Sequence, residues 1–285
     1  MTLGPAGVRR HARWTLRTGA ALLAVWSVVA LLAPVLAPYD PTALGTLGAD
    51  SYRAPGRTHP LGTDEFGRDV WSRVIWGARV SLLIGAGVAL LASTLGAAVG
   101  LVAGARGGKV DGILMRAVDL MLAIPRAYLV LLVVGILRPS LPLLVIVLSA
   151  TGWMQTARVV RAAVREIAAG PYVEAAHALG LPPWRVLWRH ILPNAAAPLV
   201  VSATAMVGQT ILVENALSFL GMGVPVPTPS WGAMVEEGRK VFPSVWWVSV
   251  APGVAIACTV LLCNLTGDAL RDLLDPRAGE SGGGA

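Results

Sequence analysis

Hydrophobic and polar positions segregate on a long scale in this chain. Apolar stretches of similar length recur, each set off by a more polar segment. Three stretches carry no charge: Gly19–Ala37, Val80–Ala105 and Val248–Thr266. Three more are interrupted by polar side chains: Ile113–Leu137, Leu141–Ala157 and Ala195–Leu220. A helix rises about 1.5 Å per residue, so about 20 apolar residues cross a hydrocarbon layer ~30 Å thick. The pattern predicts an all-α membrane protein with six transmembrane helices. A transmembrane barrel would instead alternate polar and apolar residues over segments of about ten, which these stretches do not do.

One polar segment between the apolar stretches has strong internal punctuation. Residues 174–193 read EAAHALGLPPWRVLWRHILP. Glu174, Ala175 and Ala176 favour helix, and Gly180 ends that helix in a left-handed conformation. Pro182 and Pro183 suit the first turn of a second helix, and Pro193 is expected to close it. The segment therefore predicts a helix–turn–helix, with Trp184, Leu187, Trp188 and Ile191 on one face of its second helix. Such a hairpin exposes apolar surface at the membrane boundary, which asks for a partner; the bland alternative is an interfacial helix pair without one.

Composition agrees with the membrane assignment. The chain is 55% hydrophobic and 14% charged, with mean hydropathy +0.66, against about 25% charged residues in soluble domains. The first apolar stretch is long for a cleaved signal, and Pro38 follows its small-residue site, so it reads as a retained span. The net charge of +7 is better explained by topology than by nucleic acid. With the N-terminus in the cytoplasm, most basic residues fall on cytoplasmic segments, as the positive-inside rule requires. The segment of residues 38–79 is nearly balanced. Both termini are then cytoplasmic, in a multi-pass protein of the cell (inner) membrane. The expected organisation is a tail at 1–17, a first span and external segment at 18–79, and a five-span core at 80–272. The hairpin loop occupies 158–195 within that core, and 273–285 is a second tail.

Several chemistries are excluded by what the sequence lacks. A phosphate-binding P-loop needs Gly, four residues, then Gly-Lys-Ser or Gly-Lys-Thr, and neither Lys109 nor Lys240 has that setting. The chain is thus not expected to hydrolyse ATP. His11, His59, His177 and His190 lie in different segments, so no metal site is expected. Cys258 and Cys263 point to different helix faces and read as packing residues. Gly96, Gly100 and Gly104 recur every four residues, which permits close approach of another helix, either within the bundle or in a dimer. Trp231, Trp246 and Trp247 are expected in an aromatic belt at the membrane surface.

The spacing of Glu-Ala-Ala, Gly180 and Pro193 resembles the EAA loop of ABC-importer permeases. His190 departs from that pattern, since many members have an aliphatic residue there. Three further stretches resemble the C-type subunit of the dipeptide, oligopeptide and nickel branch of that family. They are HPLGTDEFGRD (59–69), LSFLGMG (217–223) leading into PTPSWGAM (227–234), and NLTGDALRD (264–272) followed by LLDPR. The resemblance covers roughly residues 20–277. It implies a permease subunit that forms the path for di- or oligopeptides, nickel or another small solute being the alternative within the branch. It implies two ATP-binding subunits, a second homologous permease and an external solute-binding protein as partners. ATP and Mg would be bound by the partner ATPases, with no cofactor on this chain. The coupling loop would be Glu174, Ala175, Ala176, Gly180, Trp184, Trp188 and Pro193.

Ionisable and amide groups within spans are costly and point to function. Asp119 and Arg126, seven apart on one expected helix face, join Gln209 and Glu214 as candidates for the translocation path. Helix-to-helix hydrogen bonding is the structural alternative for all four. His59, Gly62, Asp64, Gly67, Arg68 and Asp69 form a turn-rich external segment, read either as a solvated loop or as a docking or gating element. Thr63 or Asp64 is expected to cap a short helix there. A secondary transporter remains the rival class, one that needs no docking hairpin.

Overall fold

The computed structural model describes residues 5–274, and everything described is helix, turn or loop apart from one isolated bridge between Thr63 and Asp69. The tail beyond Leu274, where the Gly-rich end of the sequence falls, lies outside the described residues. Helix α1 (Pro5–Leu31) and the short α2 (Ala33–Leu36) lead into a loop of residues 37–69. Then come α3 (Val70–Arg106), α4 (Gly108–Leu122), α5 (Arg126–Ile136), α6 (Leu141–Ala150) and α7 (Trp153–Ala168). The hairpin consists of α8 (Pro171–Ala178) and α9 (Pro183–Val186). The long α10 (Leu192–Phe219), α11 (Trp231–Arg239) and α12 (Trp247–Leu274) complete the order.

Among the described residues, five helical stretches are long and apolar enough to cross a membrane, and a sixth arises if α4 and α5 are one bent span. The positions of the six expected spans hold, but several boundaries differ. The basic start is already helical, since α1 begins at Pro5. The second span does not begin at residue 80. It begins at Val70, where Asp69 caps it by accepting the Ser72 N–H at 2.8 Å. The expected cap at Thr63 or Asp64 and the separate short helix are therefore replaced by one 37-residue helix. It is about 55 Å long at 1.5 Å per residue. The third span is broken at residues 123–125 and bends by 73°. Pro125 explains the break: it lacks the N–H and disfavours helix at Ile124. The fourth span continues through α7 to Ala168, well beyond Ala157.

The helices meet over small residues. Along α3, Gly96, Gly100 and Gly104 lie against α7. A Cβ at Gly100 would stand 2.5 Å from Ala157 O and 2.9 Å from Val160 Cβ. The four-residue glycine spacing thus serves packing within one bundle. At the end of the bundle bearing the long loop, Ala30, Val74, Ile211, Trp231, Met234 and Val248 form a core joining α1, α3, α10, α11 and α12. Trp231 is fully buried there, stacked on Trp26 at 6.2 Å and donating Nε1–H to Val74 O at 2.8 Å. It is a core residue rather than part of an aromatic belt, and Trp247 is also buried; of the three, Trp246 is exposed. A second core, at the opposite end, seats the hairpin on the bundle through Val160, Val164, Val173, Ala176, Val186 and Ala195.

Candidate functional site

The hairpin is built as its punctuation predicts up to its second proline. Gly180 has φ +75°, and Leu181 N–H reaches back to Ala176 O at 3.2 Å, the long-range bond of a glycine-terminated helix. Pro182 precedes α9 in an extended conformation and Pro183 occupies its first turn. Pro193 does not close the hairpin. It sits near the start of α10, and the chain passes through a π-type turn, Leu187–Ile191, straight into that helix. The second hairpin helix and the fifth span are thus one continuous rod. The π turn also rotates the expected apolar face apart. Ile191 is buried and Leu187 half-buried, whereas Trp184 is 62% and Trp188 63% exposed. Leu179, 82% exposed at the tip, joins them; sequence reasoning passed it over. Glu174 and Ala175 are exposed on the first hairpin helix, and Ala176 is buried against the bundle.

The four polar candidates within the spans separate. Asp119 and Arg126 do not share a helix face, because the break at Pro125 puts them on different helices. Asp119 is exposed and pairs with Arg158 of α7. Further along α4, Asp111 pairs with Arg161, whose Nη2 lies 2.6 Å from Oδ2. Glu214 is completely buried and accepts from three hydroxyls: Ser218 at 2.8 Å, Ser230 at 3.0 Å and Ser81 at 3.1 Å. It ties α3, α10 and the start of α11 together.

Arg126 and Gln209 come together. They line one cavity of about 310 Å³ with Thr151, Gly152, Gln155, Met121, Met154 and Met206. Arg126 Nε donates to Thr151 Oγ1 at 3.2 Å and Nη2 to Leu148 O at 3.1 Å. No carboxylate pairs with it among the described residues. Gln155 and Thr151 were not among the sequence candidates. Gln155 could have been found by the rule that singled out Gln209, as an amide inside an apolar stretch.

The segment of residues 59–69 is a clasp rather than a solvated loop. Asp64 is buried and binds Arg68 Nε at 2.7 Å and also Arg73. Glu237 of α11 binds Arg73 at 2.7 Å and Arg68 at 3.3 Å. His59 Nδ1 lies 2.9 Å from the capping Asp69, and Gly62 and Gly67 have positive φ in the turns between. Glu237 lies far away in sequence and carries no local signal. Nearby, Asp50 accepts the Thr46 N–H at 2.8 Å and lies 2.8 Å from Arg53. The Thr46 bond first and Arg53 second hold its carboxyl below the ordinary range. Among the described residues no group of His, Cys, Asp and Glu is arranged to hold a metal ion.

These features define a multi-span helical membrane protein, with a hairpin continuous with one span and a mostly apolar cavity that carries a few polar groups. Residues 96–280 match the family described as binding-protein-dependent transport system inner membrane component. A putative peptide transport system permease of Brucella suis is 42% identical over 265 residues, 93% of this chain and 88% of the relative. The oligopeptide transport system permease protein OppC of Bacillus subtilis is 37% identical over 259 residues, 91% and 84% of the two chains. A probable D,D-dipeptide transport system permease of Escherichia coli is 37% identical over 265 residues, 92% and 87%. The fold is that of a chain in the inward-facing MetNI methionine ABC transporter, with TM-score 0.58 at 19% identity, covering 71% of this chain and 96% of that one. The chain belongs to the family of binding-protein-dependent transport system inner membrane components: it is the membrane-spanning permease subunit of an ABC importer.

Proposed function

We propose that this permease passes di- or oligopeptides across the cytoplasmic membrane and is driven by ATP hydrolysed in separate subunits. The names of its relatives, at high coverage, support the peptide cargo. The orientation follows the basic residues: the hairpin end, with Arg106, Lys109, Arg165, Arg185 and Arg189, faces the cytoplasm, as do both termini. The clasp end faces outward, toward a solute-binding protein. Two ATPase subunits and a second permease complete the complex.

The observation that carries the coupling is the continuity of the hairpin with α10. Leu179, Trp184 and Trp188 offer an apolar surface to an ATPase, with Arg185 stacked on Trp184 at 5.4 Å. The same rod carries Met206 and Gln209 into the cavity. A displacement of the hairpin when the ATPases close therefore moves a wall of the cavity. ATP binding biases the two states by its different affinity for them. Asp119 and Glu214, away from this cavity, hold helices together.

The test is recovery of partners. Purification of the chain in mild detergent should bring an ATPase, a second permease and a binding protein. Trp184→Ser with Trp188→Ser should lose the ATPase and keep the second permease. Retention of the ATPase by the double variant would remove the hairpin as its docking site.

A further inference from the structure

Three features of the cavity between α4, α5, α7 and α10 converge on one ligand chemistry. Arg126 lines it with a charged guanidinium whose Nη1 has no partner among the described residues. The acidic side chains of α4 cannot supply one, since Asp111 is taken by Arg161 and Asp119 by Arg158. The second feature is the break itself. The 11-residue α5 starts at Arg126, its first turn has no side-chain cap, and Ile124 and Pro125 line the same cavity. A half-helix that begins inside a membrane directs the positive end of its dipole and its free N–H groups at whatever occupies the space before it. The third is the pair of amides, Gln155 from α7 and Gln209 from α10, among otherwise apolar and methionine neighbours. A cation without a carboxylate partner inside an apolar span is expensive and marks a substrate path by default.

We propose that this cavity holds the C-terminal carboxylate of the transported peptide. Arg126 and the start of α5 supply the positive charge, and Gln155 and Gln209 donate to or accept from the peptide amide. The inference rests on the peptide reading above and adds a specificity: free-acid peptides pass, and peptides with an amidated C-terminus pass poorly. A guanidinium meets a carboxylate through charge-assisted, two-pronged hydrogen bonds, which an amide cannot reproduce. The site is reached after the binding protein has released its cargo, so it is a second and separate checkpoint.

The experiment uses the complete complex in liposomes, with its binding protein, and one dipeptide as free acid and as C-terminal amide. Turnover is measured for each, and the acid-to-amide ratio is compared between wild type and Arg126→Gln. Any preference of the binding protein is common to both and cancels. The ratio should fall by about tenfold in Arg126→Gln, the loss of one charge-assisted pair, and survive largely in Arg126→Lys. An unchanged ratio, or equal slowing of acid and amide, overturns the proposal and makes Arg126 a helix-packing or subunit-pairing residue. If Arg126→Gln fails to assemble, a labelling measurement on protein that keeps Arg126, Gln155 and Gln209 decides. Met121→Cys, on the same cavity wall and in a Cys258→Ser background, should be protected from a thiol reagent by the free-acid dipeptide and not by its amide. Equal protection, or none, overturns the proposal. Failure of the wild type to move either peptide would instead overturn the peptide reading, and this inference with it.

Discussion

Glu214 shows how a polar side chain inside a span is to be judged. Its burial is complete, and three serine hydroxyls donate to its two oxygens from different parts of the chain. A group so buried and so bonded is closed to cargo. Glu214→Gln keeps a carbonyl acceptor at the site, so transport kinetics should stay near wild type. Glu214→Ala leaves three buried hydroxyls without an acceptor and should destabilise by about 1–3 kcal/mol, seen as a lower melting temperature of the purified complex. A transport defect in the Gln variant at unchanged stability would return Glu214 to the path. Arg126 is the opposite case, with donors to spare. The sequence marks both as costly, and the partners that separate them come from other helices.

At the scale of elements, two junctions control how the spans move together. Gly180 sits at φ +75° with open space where a Cβ would point, so the constraint is on the backbone rather than on packing. Gly180→Val should cost about 1–2 kcal/mol locally by forcing an L-residue into the left-handed region. Uptake should fall while membrane insertion and bundle assembly persist; wild-type uptake by this variant would end the coupling role of the turn. The second junction is the clasp. Glu237 holds Arg73 and Arg68 from α11, and removing it leaves two nearly buried guanidinium groups on Asp64 alone. Glu237→Ala should destabilise the outward end by about 3 kcal/mol, toward the lower limit for a buried pair because the Glu237 side chain is 22% exposed. Thermal unfolding of the complex, read by protease sensitivity of residues 38–69, checks it. The hairpin was legible because Gly and Pro act through their own backbones. The clasp was not, because Glu237 lies 164 residues beyond Arg73.

For the whole molecule, the sequence by itself determined the membrane class, the six apolar stretches and the hairpin with its glycine turn. It also determined the absence of a P-loop. Those are properties of local composition and backbone chemistry: apolar length against bilayer thickness, left-handed φ at glycine, a missing N–H at proline. Tertiary structure decided the rest. It fused the hairpin to α10 where Pro193 was expected to divide them, through a π-type turn at Leu187–Ile191. It used the glycine stripe of α3 for α7, because only packing selects which helix approaches. It parted Asp119 from Arg126 by a bend of 73°, giving one a surface partner and the other a cavity. Which polar group is spent on the fold and which is left for a ligand depends on neighbours distant in the chain, and those are set only when the helices pack.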